Sequence, residues 1–266
     1  MTEGSRTSAL IQDESGKAIG VITANDLLAA FVEGVGWEAS AAKWLAAGDA
    51  RLPGSLLPTL SVKSSSKLEE AAELMANQKG SNHASHHIVV TDEGDSIIGV
   101  LSALDVARAI CLNPEDDVSK LLASKTVEKA MKKRGSLPEC SADATLAQAF
   151  REMFAAKQNA VVIVEDASGN TPDSKKVEGI ITPRDVLRAF AEHVAGQTTA
   201  AGWLRGLQAS IEPRTIAAQA SLAEAASTMA SHSLHHVIAV VPPSSDVEGI
   251  LSALDLVCVL AASEAA

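Results

Sequence analysis

The chain has 266 residues, 47% of them hydrophobic and 21% charged, with a formal net charge of -11. That length supports one large or two medium hydrophobic cores, and the acidic balance argues against nucleic acid and anionic membrane as general partners. Aromatic residues make up only 3% and tyrosine is absent, so the cores must rest on Ala, Val, Leu and Ile.

In chain order, Ser8–Gln12 reads as a short strand, Asp13–Lys17 as a turn and Ala18–Ile22 as a second strand. A helix over Asn25–Val32 then sets Leu27, Leu28 and Phe31 on one face. Residues 35–57 read as an Ala-rich amphipathic helix carrying Trp37 and Trp44, closed by Gly48 and Pro53-Gly54. Residues 58–112 hold the fullest pattern. It comprises a strand at Thr59–Val62, a helix Lys67–Asn77 capped by Ser66, strands His87–Thr91 and Ile97–Leu101, and a helix from Ala103 to Leu112. The polar break Asn113–Asp117 sets a central boundary, and the spacing predicts a helix over Thr126–Lys133. Strand Leu137–Ser141, helix Leu146–Ala156, strands Val161–Glu165 and Val177–Ile181 and helix Asp185–His193 repeat the order. A polar loop spans Asp166–Lys176. A linker at 197–210 carries Trp203, and Thr215–Leu260 gives the order once more.

Cys111, Cys140 and Cys258 have no Cys-x-x-Cys spacing. Cys111 and Cys258 follow equivalent apolar helices and read as buried thiols in a reducing compartment. No signal-peptide core follows Met1, and no apolar run approaches the length of a membrane span.

One heptapeptide organises the chain. Gly99-Val-Leu-Ser-Ala-Leu-Asp105 returns as Gly249-Ile-Leu-Ser-Ala-Leu-Asp255, and more loosely as Gly20-Val-Ile-Thr-Ala-Asn-Asp26 and Gly179-Ile-Ile-Thr-Pro-Arg-Asp185. Each copy is a short strand running into a helix whose Ser or Thr is the N-cap and whose Asp sits in the first turn. A single Ser-x-x-Asp is a capping box; four in register are a repeat whose exposed first-turn amides could serve a polar ligand. The four aspartates lie 79, 80 and 70 residues apart, while Asp26 to Asp185 and Trp44 to Trp203 are both 159, so the chain is two tandem halves of two related units.

Six of the seven histidines form two clusters of identical spacing, His83, His86, His87 and His232, His235, His236. Neighbours on a strand face opposite ways, which favours His86 and His235 as the ligand-facing members, with His83 and His232 at the surface. No carboxylate or Cys recurs beside both clusters, so a metal site is not expected. No nucleophile–base pair or phosphate-binding Gly-rich loop is present, so the chain does not read as an enzyme.

A β-α-β-β-α unit ending Gly-aliphatic-aliphatic-Ser/Thr-x-x-Asp, present four times, resembles the CBS domain. The nearest comparison is the gamma subunit of AMP-activated protein kinase and related plant-type CBS proteins. The resemblance implies a mixed α/β (α+β) fold of tandem CBS repeats, paired sheet to sheet into two Bateman modules in a pseudo-symmetric disc. The expected divisions are a partial repeat at 1–34, a helical linker at 35–57, a repeat at 58–112, a linker at 113–125, a repeat at 126–195, a helical linker at 196–210 and a repeat at 211–262. It implies a non-catalytic, energy-sensing regulatory role in which AMP, ADP or ATP occupies the clefts between repeats, with no catalytic cofactor. Carried over position by position, the nucleotide-binding residues would be Thr23/Asp26, Ser102/Asp105, Thr182/Asp185 and Ser252/Asp255, whose carboxylates can accept both hydroxyls of a ribose. His86, His87, His235 and His236 stand where the family directs a His-Arg pair at phosphates, and Arg184 adds charge; Arg188 and Lys132–Arg134 read as solvated. His in place of Arg replaces a permanent charged fork by a group that gains charge only on acidification. Unit three carries Gln158-Asn159 instead of a His pair. Unit one has no first strand or helix, so an apolar patch is expected on the helix bearing Leu68, Leu74 and Met75, covered by a partner chain (a kinase among the candidates), a second copy or a further N-terminal segment. A structural interaction module with degenerate clefts is the alternative. The cytoplasm is the expected location, with nucleus and plastid also compatible.

Overall fold

The structure is a computed structural model that describes residues 8–36, 38–41, 61–77, 86–113, 115–165, 176–208, 214–243 and 246–264. Three described units follow the order β-α-β-β-α. The second is β3 (Ser61–Lys63), α2 (Leu68–Asn77), β4 (His87–Thr91), β5 (Ile97–Ser102) and α3 (Ala103–Cys111). The helices α4 (Asp117–Ser124) and α5 (Val127–Ala130) and a two-residue strand β6 (Lys132–Lys133) lead to the third unit. That unit is β7 (Glu139–Ser141), α6 (Leu146–Ala155), β8 (Val161–Glu165), β9 (Lys176–Ile181) and α7 (Pro183–Ala191). Helix α8 (Ala200–Gln208) precedes the fourth, made of β10 (Thr215–Ala217), α9 (Leu222–His232), β11 (His236–Val241), β12 (Asp246–Ser252) and α10 (Ala253–Glu264). Among the described residues the first unit is β1 (Ser8–Gln12), β2 (Ala18–Thr23) and α1 (Ala24–Val32). Most of the helix expected within 35–57, with Trp37 and Trp44, lies outside the described residues, as do His83 and most of the loop after Glu165.

In each complete unit the first strand pairs parallel with the second, and the second antiparallel with the third. Every hairpin carries a register shift near the far end of its first strand, at Ile11/Gln12, Val90/Thr91, Ile163/Val164 and Ala239/Val240. Sheets pack within each half: β5 lies against β1 and β2, and Leu137, Val162, Val164, Val177, Ile180 and Ile250 form the seam between the third and fourth units.

Helices pack across the halves. The larger core joins the second unit to the fourth, with α2 against α10 and α9 against α3. Ala71, Ala72, Ala103, Ala107, Ala225, Ala226 and Ala253 let these helices approach closely, while Met75, Leu222, Met229 and Leu256 fill the space between them. The other interface joins α1 to α6 and α7 and takes all four phenylalanines. Phe31 meets Phe150 and Phe190 edge to face at 5.5 and 5.8 Å, and Phe154 packs beside them.

Four expectations are corrected. Met75 is fully buried against the fourth unit and Leu74 packs on the same core, so of the patch expected on Leu68, Leu74 and Met75 only Leu68, 38% exposed, stays open. The helix expected over Thr126–Lys133 stops at Ala130, because Lys132 and Lys133 extend to pair with Ile250 and Gly249. Cys111 is exposed rather than buried, since α3 ends there and the chain turns into the polar break; Cys140 is buried. Lys132 is not a solvated linker side chain, as its ammonium donates to Gln158 Oε1 at 3.0 Å. No helix among the described residues is long and apolar enough to cross a membrane.

Candidate functional site

All four motif aspartates close capping boxes. One carboxylate oxygen, Oδ2, accepts both the backbone N–H and the hydroxyl of the N-cap residue, at 2.7 and 2.7 Å from Thr23, 3.0 and 2.6 Å from Ser102, 2.7 and 2.9 Å from Thr182, and 2.9 and 2.6 Å from Ser252. The recurring Ser/Thr-x-x-Asp is therefore explained in the first instance by helix initiation. What remains for a ligand is Oδ1, and here the four differ. Asp26 and Asp255 are buried. Asp185 Oδ1 accepts the indole N–H of Trp203 at 3.3 Å, and burial pushes the Asp185 carboxyl above the usual carboxylate range. Asp105 alone of the four is open: its side chain is 41% exposed and its Oδ1 accepts Arg108 Nη1 at 3.1 Å. Hydrogen bonds from Ser102 and Arg108 hold that carboxyl below its usual range despite partial burial.

The strands deliver the histidines to the centre of the molecule. A cavity of about 180 Å³ lies where the four units meet, lined by Thr23–Asn25, His86, His87, Asn159, Thr182–Arg184 and Leu234–His236. The alternation argument that separated the members of each pair fails, because His86 and His235 precede β4 and β11 and only His87 and His236 lie in strands. All four therefore line one cavity. They meet crosswise, His86 with His236 at 6.0 Å between ring centroids and His87 with His235 at 6.2 Å. Those two pairs are copies of each other under the pseudo-two-fold that relates the second and fourth units.

The Asn159 amide nitrogen lies 2.6 Å from His86 Nε2. An amide nitrogen only donates, so Nε2 accepts and the imidazole is neutral with its proton on Nδ1. Burial, together with the neighbouring imidazoles and Lys132, drives His86 well below its ordinary value. Burial likewise lowers His87 to about 4, His235 to about 4 and His236 to about 3, outweighing the attraction of Asp105 for the first two and of Asp255 for the third. At neutral pH the cavity is thus lined by uncharged imidazoles, and its positive charge comes from arginine and lysine. Arg184 Nη1 donates to the Ser233 carbonyl at 2.9 Å and Arg108 Nη2 to the Ser233 hydroxyl at 2.9 Å, so one residue of the fourth unit is gripped from the third and the second. The N-termini of α1 and α7 also open on this space, adding the positive ends of two helix dipoles.

His232 sits on the last turn of α9 with Nδ1 3.0 Å from the Thr228 carbonyl, exposed and outside the lining. Arg188 pairs with Glu192 at 2.8 Å. Sequence reasoning missed Asn25, Leu234, Arg108 and the inward role of Lys132. Arg108 had a signal, since it stands three residues after Asp105 as Arg188 does after Asp185. Among the described residues no group of His, Cys, Asp and Glu is arranged to hold a metal ion.

Related β-α-β-β-α units that jointly line one central cavity define a tandem-repeat assembly. The chain belongs to the CBS domain family, whose model matches residues 57–112, 127–192 and 209–262. An uncharacterized conserved protein from Pyrococcus horikoshii shares the fold at 16% identity, with a TM-score of 0.58, covering 96% of this chain and 91% of that one. A protein from Methanocaldococcus jannaschii, described as a candidate archaeal homologue of g-AMPK, does so at 17% identity, with a TM-score of 0.65 and coverage of 97% and 89%. No curated protein matches the chain.

Proposed function

We propose that the chain is a non-catalytic regulatory module that takes an adenine nucleotide, phosphates toward the central cavity, and passes its occupancy to a partner protein. The observation that carries this reading is the cavity itself, to which all four units contribute and where Arg184 and the two helix N-termini converge. At about 180 Å³ it is smaller than the pockets that enclose whole small molecules, so it suits phosphate groups, with the nucleoside lying outward between units. A charge-assisted bond to phosphate contributes about 1.5–3 kcal/mol. The open carboxylate of Asp105 is the best placed of the four to take ribose hydroxyls, in exchange for Arg108. Because a ligand there touches every unit, its binding favours one arrangement of the four, which is what a signal to a partner requires.

Calorimetric titration with AMP, ADP and ATP tests this. Saturable binding is expected, with Arg184→Ala weakening it roughly tenfold or more and Arg188→Ala, on the exposed Glu192 pair, leaving it within about twofold. No heat with any of the three would favour the second reading, a structural interaction module. Two observations speak for that alternative: capping boxes occupy one oxygen of every motif aspartate, and Trp203 fills the ligand position at Asp185.

A further inference from the structure

We infer that Lys132, on the short strand β6 between the two halves, binds the distal phosphate groups of the ligand and so selects nucleoside di- and triphosphates over monophosphates. The inference rests on the nucleotide reading of the central cavity and adds to it the length of the phosphate chain.

The backbone of Lys132 is fixed in place. β6 pairs antiparallel with β12, Lys133 opposite Gly249 and Lys132 opposite Ile250. The approach is close enough to demand glycine: a Cβ on Gly249 would stand 2.3 Å from the Lys132 carbonyl oxygen and 3.0 Å from Met131 Sδ. Successive residues of a strand face opposite ways, and here Lys132 is half-buried while Lys133 is exposed.

The inward ammonium is held without being neutralised. It donates to the amide oxygen of Gln158 at 3.0 Å and makes no ion pair with any described residue. An ammonium has three N–H donors, so two remain for another acceptor. A charge that has given up part of its hydration to a neutral acceptor is left uncompensated, and an anion is the partner it lacks.

That ammonium stands just behind the cavity wall. Gln158 is followed by Asn159, a lining residue whose amide nitrogen lies 2.6 Å from His86 Nε2. The charge of Lys132 bears on His86 and on His236, which form one crosswise pair. The other pair, His87 with His235, has different cations: Arg184, in the lining, and Arg108 both bear on His235. Asp255 also bears on His236, but one of its oxygens is taken by Ser252 and it forms no ion pair with Lys132. The cavity therefore has an arginine side and a lysine side. Each neutral imidazole supplies one N–H donor and no charge, so these two sides set the charge the ligand must bring. A single phosphate group at Arg184 leaves Lys132 unmatched. A chain of two or three groups reaches across the imidazoles, and the flexible lysine stem lets the ammonium leave Gln158 to meet it.

Calorimetric titration of the full-length chain with AMP, ADP and ATP, with magnesium omitted, tests this. ADP and ATP should bind about tenfold or more tighter than AMP, the effect of one charge-assisted contact. Lys132→Gln keeps an amide donor for Gln158 but no charge, and should lower the ratio of ATP to AMP affinity by about tenfold or more. Lys132→Arg keeps the charge and should hold that ratio within about threefold of the parent. A purely structural role for Lys132 would move AMP and ATP together, so an unchanged ratio in Lys132→Gln overturns the inference. AMP binding as tightly as ATP to the parent also overturns it, an outcome that needs no variant to fold. If Arg184→Ala still weakens all three nucleotides in that case, the nucleotide reading stands and only the role of Lys132 falls. No heat with any of the three overturns both.

Discussion

Lowering the pH from 7 to 5 should destabilise the ligand-free chain steeply, by an amount comparable to the whole stability of a small domain. The cause is the cluster of His86, His87, His235 and His236 around the central cavity. An unfolded histidine binds its proton near pH 6.5, whereas burial holds the folded values for His87 and His235 at about 4 and for His236 at about 3. Above pH 6.5 neither state is protonated and the stability is fully present. As pH falls below 6.5 the unfolded chain takes up protons that the folded chain refuses, and stability is lost until pH reaches the folded values. By pH 5 the loss is about 2 kcal/mol for each such histidine, roughly 6 kcal/mol for three, against the 5–15 kcal/mol typical of folded domains. Thermal melts between pH 7.5 and 5 measure this directly. A melting temperature that stays level over that range would show that the imidazoles are hydrated and free. Under the proposed function a phosphate-bearing ligand reverses part of the effect, because an anion in the cavity raises the affinity of the same imidazoles for protons. Nucleotide should therefore protect the fold more at pH 5.5 than at pH 7.5.

Leu256→Ala should cost about 3 kcal/mol, within the 2–5 kcal/mol range for emptying a buried leucine site. Leu256 is fully buried in the core shared by α2, α3, α9 and α10, and the tight alanine contacts around it leave little room for collapse. For a chain of this size that corresponds to a fall of roughly 6–12 °C in melting temperature. Leu112→Ala, at a side chain 80% exposed, should move it by no more than about 0.5 kcal/mol. Equal effects from the two would mean that the second and fourth units do not share a core.

The fold was legible because its signals are local. Gly-aliphatic-aliphatic-Ser/Thr-x-x-Asp encodes a strand end, an N-cap and a first turn within seven residues, and four copies set the register of everything between them. The pairing of helices across the halves was not legible, since nothing in the sequence near Met75 names α10 as its cover. The site followed the same division. The histidine pairs stood out by their spacing, but their crosswise meeting depends on a two-fold that no local window contains. The alternation rule misled because it was applied to His86 and His235, which precede their strands. Asp185 looked equivalent to Asp105 in sequence, and only packing shows that Trp203 donates to the one and leaves the other open. Lys132 looked like a linker charge because a two-residue strand carries too little pattern to be read.

The helix pairing also sets a timetable for synthesis. Helices α2 and α3 are complete once Cys111 has been made, but the α9 and α10 faces that cover them end at residue 264. At ribosomal rates of 5–20 residues per second the early pair waits roughly 8–30 s with its alanine, leucine and methionine face uncovered. During that interval the nascent chain is a natural client for holding chaperones, and a message truncated in the third unit would release a product with that face permanently bare.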